Sequence, residues 1–280
     1  MTTATAEKTT AQTISPDDLR QYRRDGYYIA RGLLRPDEVD ALRDAFMEQA
    51  KNGPVPGLSD MDYQYEPGDP LAFYPRMMHP HRHPELPVGP LSLRYLLDKR
   101  IGDILTDLLG EPPIAAQTMF YFKPPGARGQ DLHQDNFYLR VSPGTCLAAW
   151  VAIDDADREN GGMVVVPGSG DLDMVCPQET DKTKFFTNHH VPVPDGLRET
   201  PVDLKAGDVL FFNGSIIHGS YPNTSETRFR RAFISHYVPE SSAEVARGYR
   251  PLLDRDGNEV PVADATGGGP CGAPIPAVLH

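Results

Sequence analysis

Apolar positions at the start of the chain recur with a helical period. Ser15, Pro16, Asp17 and Asp18 combine a capping hydroxyl, a proline suited to a first turn and two carboxylates at the positive end of a helix dipole. A helix is therefore predicted from Ser15 to about Arg24, stopped by Gly26. Gly26 to Gly32 then reads as a short strand, and Arg35-Pro36-Asp37-Glu38 opens a second helix with Val39, Leu42 and Phe46 on one face.

Between Asn52 and Pro90 proline, glycine and aromatic residues crowd together, a composition that makes neither a long helix nor a central strand. A long ordered loop that covers a substrate is expected there. A third helix is predicted over 91–109, closed by Gly110. From Ile114 the pattern changes to short β-rich runs broken by Gly, Pro and Asn: Gln117 to Lys123, Thr145 to Ile153, Met163 to Val166, Val209 to Phe212 and Ala232 to Val238. Strands so short and so spaced point to a sandwich or barrel rather than to alternating βα units.

The organisation expected is a disordered tail over 1–14 followed by one domain over 15–280. Its parts are a helical front (15–110), a β core (about 114–239) and an irregular C-terminal extension (240–280). An excess of 39 Asp and Glu over 27 Lys and Arg gives a net charge of −12, which argues against nucleic acid as a partner. No apolar run suggests a membrane span or signal peptide. Cys146, Cys176 and Cys271 lack metal-site or paired spacing and read as unpaired thiols in a reducing cytoplasm. A small-molecule substrate and a monomer or homodimer are the expectation.

The densest chemistry lies at His133-Gln134-Asp135, after a Gly- and Pro-rich loop. Residues two apart on an extended chain share a face, so an imidazole and a carboxylate can meet one metal ion. His218, beyond the apolar run Val209 to Phe212, supplies a third donor. Two histidines and one carboxylate form the facial triad that leaves the opposite side of an iron open.

Longer stretches carry a resemblance. His218-Gly219-Ser220-Tyr221-Pro222-Asn223-Thr224-Ser225, then Phe229-Arg230-Arg231-Ala232 and His236-Tyr237, resembles the distal motif of the phytanoyl-CoA dioxygenase family. Similar landmarks occur in order at Tyr22 to Ile29, at Lys123-Pro124-Pro125-Gly126, and at Trp150 to Asp155 followed by Asn160-Gly161-Gly162. The resemblance runs from about Ser15 to Pro239. It implies a mainly β fold with flanking α, a double-stranded β-helix of jelly-roll or cupin type with N-terminal helices packed outside. It also implies Fe(II), 2-oxoglutarate and O2, used to hydroxylate an unactivated carbon with release of succinate and CO2.

By the same resemblance, Arg230 takes the distal carboxylate of 2-oxoglutarate, where a planar guanidinium gives two parallel charge-assisted bonds. Arg228 is the fallback, because this chain carries one residue more than usual in the turn. Ser220, Trp150, Gln117 and Tyr121 are the further cosubstrate contacts implied, and packing in the core competes for Trp150. Phe137, Tyr138 and Arg140 are candidates for the substrate side, with core packing the alternative for the two aromatics. Arg76 and Arg82 are further candidate anchors, set against exposed, solvated positions. His79, His81 and His83 are expected in a solvated or substrate-facing loop, His189 and His190 at the surface, and His236 on a strand with an internal hydrogen bond.

Four other readings compete. A halogenase would replace the carboxylate ligand, and Asp135 argues against it. Desaturation, epimerisation or ring formation uses the same ligands as hydroxylation. A cupin-like binding protein without redox chemistry would have no use for Arg230, and a zinc hydrolase would need a general base that the sequence does not show.

Overall fold

The structure is a computed structural model, which describes residues 14–61 and 68–266. The tail expected over 1–13 and the glycine run after Thr266 lie outside the described residues. Ile14, placed in that tail by the sequence reading, is buried.

The helices are α1 (Pro16–Asp25), α2 (Pro36–Lys51), α3 (Pro70–Phe73), α4 (Val88–Leu96), α5 (Lys99–Leu109) and α6 (Asn136–Leu139). The first strands are β1 (Tyr27–Ala30), β2 (Met77–Met78), β3 (Pro113–Tyr121), β4 (Gln130–His133), β5 (Leu147–Ala152) and β6 (Met163–Val165). They are followed by β7 (Gln178–Glu179), β8 (His189–His190), β9 (Thr200–Val202), β10 (Val209–Asn213), β11 (His218–Ser220) and β12 (Ala232–Pro239). Beyond these come β13 (Glu244–Val245), β14 (Leu252–Leu253), β15 (Glu259–Val260) and β16 (Ala263–Asp264).

Two antiparallel sheets form the core. The larger runs β1-β10-β5-β12-β3-β14-β15, with β2 also on β3, and the smaller runs β4-β11-β6-β9. From β3 to β6 successive strands alternate between the sheets, which is the winding of a double-stranded β-helix. Alternation of side chains decides what each face holds. Trp150, Leu210, Phe212 and Ile234 of the larger sheet meet Met163 and Val165 of the smaller one between the layers. Their neighbours Val151, Phe211 and Phe233 face outward and pack with Leu42, Phe46, Ile104 and Leu105 of the helices. Both faces of the larger sheet are therefore apolar, and its strands read as nearly continuous hydrophobic runs. Phe46 sets the helical layer on the sheet by stacking on Phe120, with ring centroids 4.0 Å apart.

The helix expected over 91–109 is two helices. Leu97 and Asp98 break it, and Asp98 caps α5 by accepting from the Arg100 N–H at 2.8 Å. Arg100 then bridges Asp98 and the buried Glu38 of α2, tying the helical layer together. The C-terminal extension also departs from the irregular tail expected. β14 joins β3, β13 pairs in parallel with β16, and Val245, Tyr249 and Leu252 bury against Leu139, Val141 and Cys146.

The proline-rich segment packs inward where described: His79 is buried, and His81 and His83 are half-buried. Met77 and Met78 pair with Phe120 and Met119, and His79 and His81 follow them into the interior. His81 Nδ1 lies 2.8 Å from the Thr118 hydroxyl. Burial, with the nearby Arg82 and His83, pushes His81 down to about 3, and burial holds His79 well below the ordinary histidine range. The unfolded chain takes up these protons near pH 6.5. Stability that is full above that pH is expected to fall below it, because the unfolded state then binds more protons than the folded one. The slope is about 1.4 kcal/mol per pH unit for each histidine. Urea midpoints at pH 7.5 and 5.5 test this: His81→Gln should lose roughly 1 kcal/mol less than the parent between them. Equal losses in both proteins would contradict it.

Candidate metal centre

His133 ends β4 and His218 begins β11, and the two residues face each other across this antiparallel pair. Their rings lie 4.2 Å apart between centroids. Asp135 follows in the turn that starts α6, and its Oδ1 is 3.4 Å from His133 Nε2 and 3.6 Å from His218 Nε2. The three residues are buried, and their donor atoms lie within 4.8 Å of one another. No other group of three such side chains among the described residues meets that condition.

Each imidazole is oriented from behind by its own chain. His133 Nδ1 lies 2.7 Å from the Asp131 carbonyl and His218 Nδ1 lies 3.1 Å from that of Ile216. A carbonyl only accepts, so both Nδ1 atoms carry the proton and both Nε2 lone pairs face Asp135. Burial pushes His218 down to about 4, which keeps it neutral and able to ligate at pH 7. Gly219 lets β11 approach β4 closely: a Cβ there would lie 2.8 Å from the Gln130 carbonyl oxygen.

A small cavity of about 30 Å³ is lined by the triad. Arg230, Trp150, Ser220 and Tyr121 line it, as do Gln130 and Met163. Arg230 is buried over the Trp150 ring at 5.5 Å, and its Nε donates to the Gly161 carbonyl at 3.0 Å. Its Nη1 is buried without a hydrogen-bond partner. Burial lowers it to about 10, as expected of a cation held without a close counter-charge. The guanidinium therefore brings a positive charge and an unused donor to the cavity. Arg228, the fallback, instead pairs with Asp157 and Glu159 away from the cavity, and Arg231 pairs with Asp154.

The other expected residues fall in several places. Tyr121 Oη accepts from Arg76 Nη1 at 2.8 Å, and Arg76 is buried in an ion pair with Asp60 rather than solvated. Gln117 does not line the cavity; its Nε2 is 3.1 Å from His236 Nδ1. Phe137 and Tyr138 line a small cleft on another side of His133 with His189, Val175 and Pro177. Arg140 donates to the Thr266 carbonyl of the C-terminal extension and Arg82 to that of Tyr249. His190, expected at the surface, is half-buried and meets Asp131 at 3.0 Å. Cys146 is a free buried thiol, but Cys176 is disulfide-bonded, which corrects the expectation of three unpaired thiols. Cys271 lies outside the described residues.

Two site residues escaped the sequence reading. Lys123 is fully buried, and its Nζ donates to Ser220 Oγ at 2.7 Å and to the Tyr221 carbonyl at 2.6 Å, fixing the Ser220 hydroxyl. Burial first, then Arg230, holds Lys123 well below the usual lysine range. It shares a face with Gln117 and Tyr121 by simple alternation, so the signal was present. Gln130 lies 3.1 Å from His133 Nε2 and has to turn away before a metal can take that lone pair. No periodicity marks it on so short a strand.

The model of the phytanoyl-CoA dioxygenase (PhyH) family matches residues 22–232. The chain belongs to the phytanoyl-CoA dioxygenase family. Among curated members, phytanoyl-CoA dioxygenase 1 of Oryza sativa subsp. japonica is 24% identical over 260 residues, spanning 84% of this chain and 92% of that protein. Among solved structures, the non-haem alpha-ketoglutarate-dependent carbocyclase SnoK of nogalamycin biosynthesis is similar at 25% identity and a TM-score of 0.63, covering 84% of this chain and 88% of SnoK. The epimerase SnoN in complex with Fe3+, alpha-ketoglutarate and nogalamycin RO shares the fold at 23% identity and a TM-score of 0.63, over 93% of this chain and 95% of SnoN. The jelly-roll core expected of the family is the one described above. No helix among the described residues is long and apolar enough to cross a membrane.

Proposed function

We propose that this chain is an Fe(II)- and 2-oxoglutarate-dependent dioxygenase that hydroxylates an unactivated carbon of a small molecule, with His133, Asp135 and His218 as metal ligands. The observation that carries this reading is the triad beside a buried guanidinium with an unused Nη1 donor in one cavity. The donor set fits the ion: two imidazoles and one carboxylate suit Fe(II). The bound metal, with 2-oxoglutarate and O2, supplies the oxidising chemistry. Arg230 would hold the distal carboxylate of the cosubstrate, Ser220 would donate to it once turned by Lys123, and Trp150 would wall the pocket. Met119, Met163, Phe212 and Ile234 would give the cavity its apolar wall.

Ring closure at the same centre is the second reading, supported by the likeness to SnoK, which is named a carbocyclase. Anaerobic addition of Fe(II) and then 2-oxoglutarate to purified protein tests the shared part of both. A weak visible charge-transfer band that needs both additions is the expected result. Folded protein without the band at saturating iron and cosubstrate would leave a binding protein as the better account.

A further inference from the structure

One buried side chain touches the triad from outside it. His236 lies on β12, and its Nε2 is 2.9 Å from Asp135 Oδ2. Its other nitrogen, Nδ1, faces the Gln117 amide Nε2 at 3.1 Å. The amide N–H donates to Nδ1, so the ring proton sits on Nε2 and points at the carboxylate. The two oxygens of Asp135 therefore have separate surroundings: Oδ1 faces the imidazoles of His133 and His218, and Oδ2 faces His236.

The local backbone gives Asp135 another option. It occupies the N-cap position of α6, where an aspartate ordinarily accepts from the first free N–H groups of the helix. Here the side chain makes no capping bond. The carboxylate is turned inward instead, and its Oδ2 meets His236 of β12.

We propose that His236, held by Gln117, is a positioning residue that keeps Asp135 a one-oxygen ligand. The proposal rests on the reading of His133, Asp135 and His218 as metal ligands. Six positions around an octahedral ion suffice for two imidazoles, one carboxylate oxygen, a chelating keto acid and O2, with none left over. A carboxylate free to rotate could add its second oxygen and occupy a position the reaction needs. The hydrogen bond to Oδ2 prevents that rotation and fixes Oδ1 toward the two Nε2 atoms, as outer partners of metal ligands do elsewhere.

Metal binding to the purified full chain tests this, with Mn(II) as the probe, followed by calorimetry and by its paramagnetic resonance spectrum. Asp135→Ala should abolish binding of the single ion. His236→Ala should weaken it by about 10- to 100-fold. His236→Gln, whose amide N–H can reach Oδ2, should recover most of that loss. Gln117→Leu, which leaves the ring but frees it, should fall between. If His236→Ala fails to fold, the Gln117→Leu and His236→Gln pair decides the matter: parental affinity in the first and a large loss in the second would overturn the proposal. Parental affinity in folded His236→Ala, with Asp135→Ala inactive in binding, would overturn the role of His236 and leave the metal centre standing. Equal binding by the parent and Asp135→Ala would overturn the metal centre itself.

Discussion

Asp135→Ala is expected to lower 2-oxoglutarate turnover at least a thousandfold, with the fold intact by circular dichroism. Asp135 is the one anionic donor in the group, and the two imidazoles that remain carry no negative charge. A divalent cation buried among neutral ligands keeps its whole charge in a low-dielectric interior, where an uncompensated charge is costly. Iron is then lost rather than merely misplaced. Asp135→Glu should do little better, since the added methylene moves the carboxylate off the point shared by His133, His218 and His236. Succinate release and anaerobic Fe(II) titration read both variants. Retention of a tenth of the parental turnover by Asp135→Ala would place the metal elsewhere.

Arg230→Leu should act on the other half of the site. Losing one partner of a buried, hydrogen-bonded charge pair costs about 2–5 kcal/mol, or roughly 30- to several-thousand-fold in affinity. That loss should be seen as a higher 2-oxoglutarate concentration for half-saturation of the charge-transfer band, while Fe(II) affinity stays within about threefold. Arg230→Lys should lie between, because a lysine keeps the charge but not the planar fork. The buried, unpartnered Nη1 is the reason for choosing this arginine over its neighbours. An unchanged requirement for 2-oxoglutarate in Arg230→Leu would remove it from the cosubstrate site.

Local signals in the sequence carried much of this architecture. Ser15 accepts from the Asp18 N–H as its capping position predicts, and α1, β1 and α2 fall where the periodicity puts them. The runs at β5, β10 and β12 were legible because both faces of the larger sheet are buried, and that at β6 because all three of its residues are buried too. The break at Asp98 was not, since the apolar spacing continues through it and only a cap on the following turn marks it. β2 and β14 were also missed. Each is two residues long, and each exists because β3 offers an edge, which is a tertiary cause. Within the site, His133, Asp135 and His218 could be read from residue type. The role of His236 could not, although it shares a face with Arg230 and Ile234, because its partner Asp135 is 101 residues away.

The pairing of His133 with His218 has a bearing on how this chain can change over generations. Side chains on a strand switch faces at every residue, so a ladder shifted by one position turns all of them around. One residue gained or lost between Asn213 and His218 would carry an imidazole out of the interior. The same event between β6 and β9, in the stretch that holds β7 and β8 and lines the small cleft beside His133, would lengthen a wall and leave the ladder in register. Length can thus vary in the wall of that cleft at little cost to the fold. The spacing that leads into β11 has no such freedom.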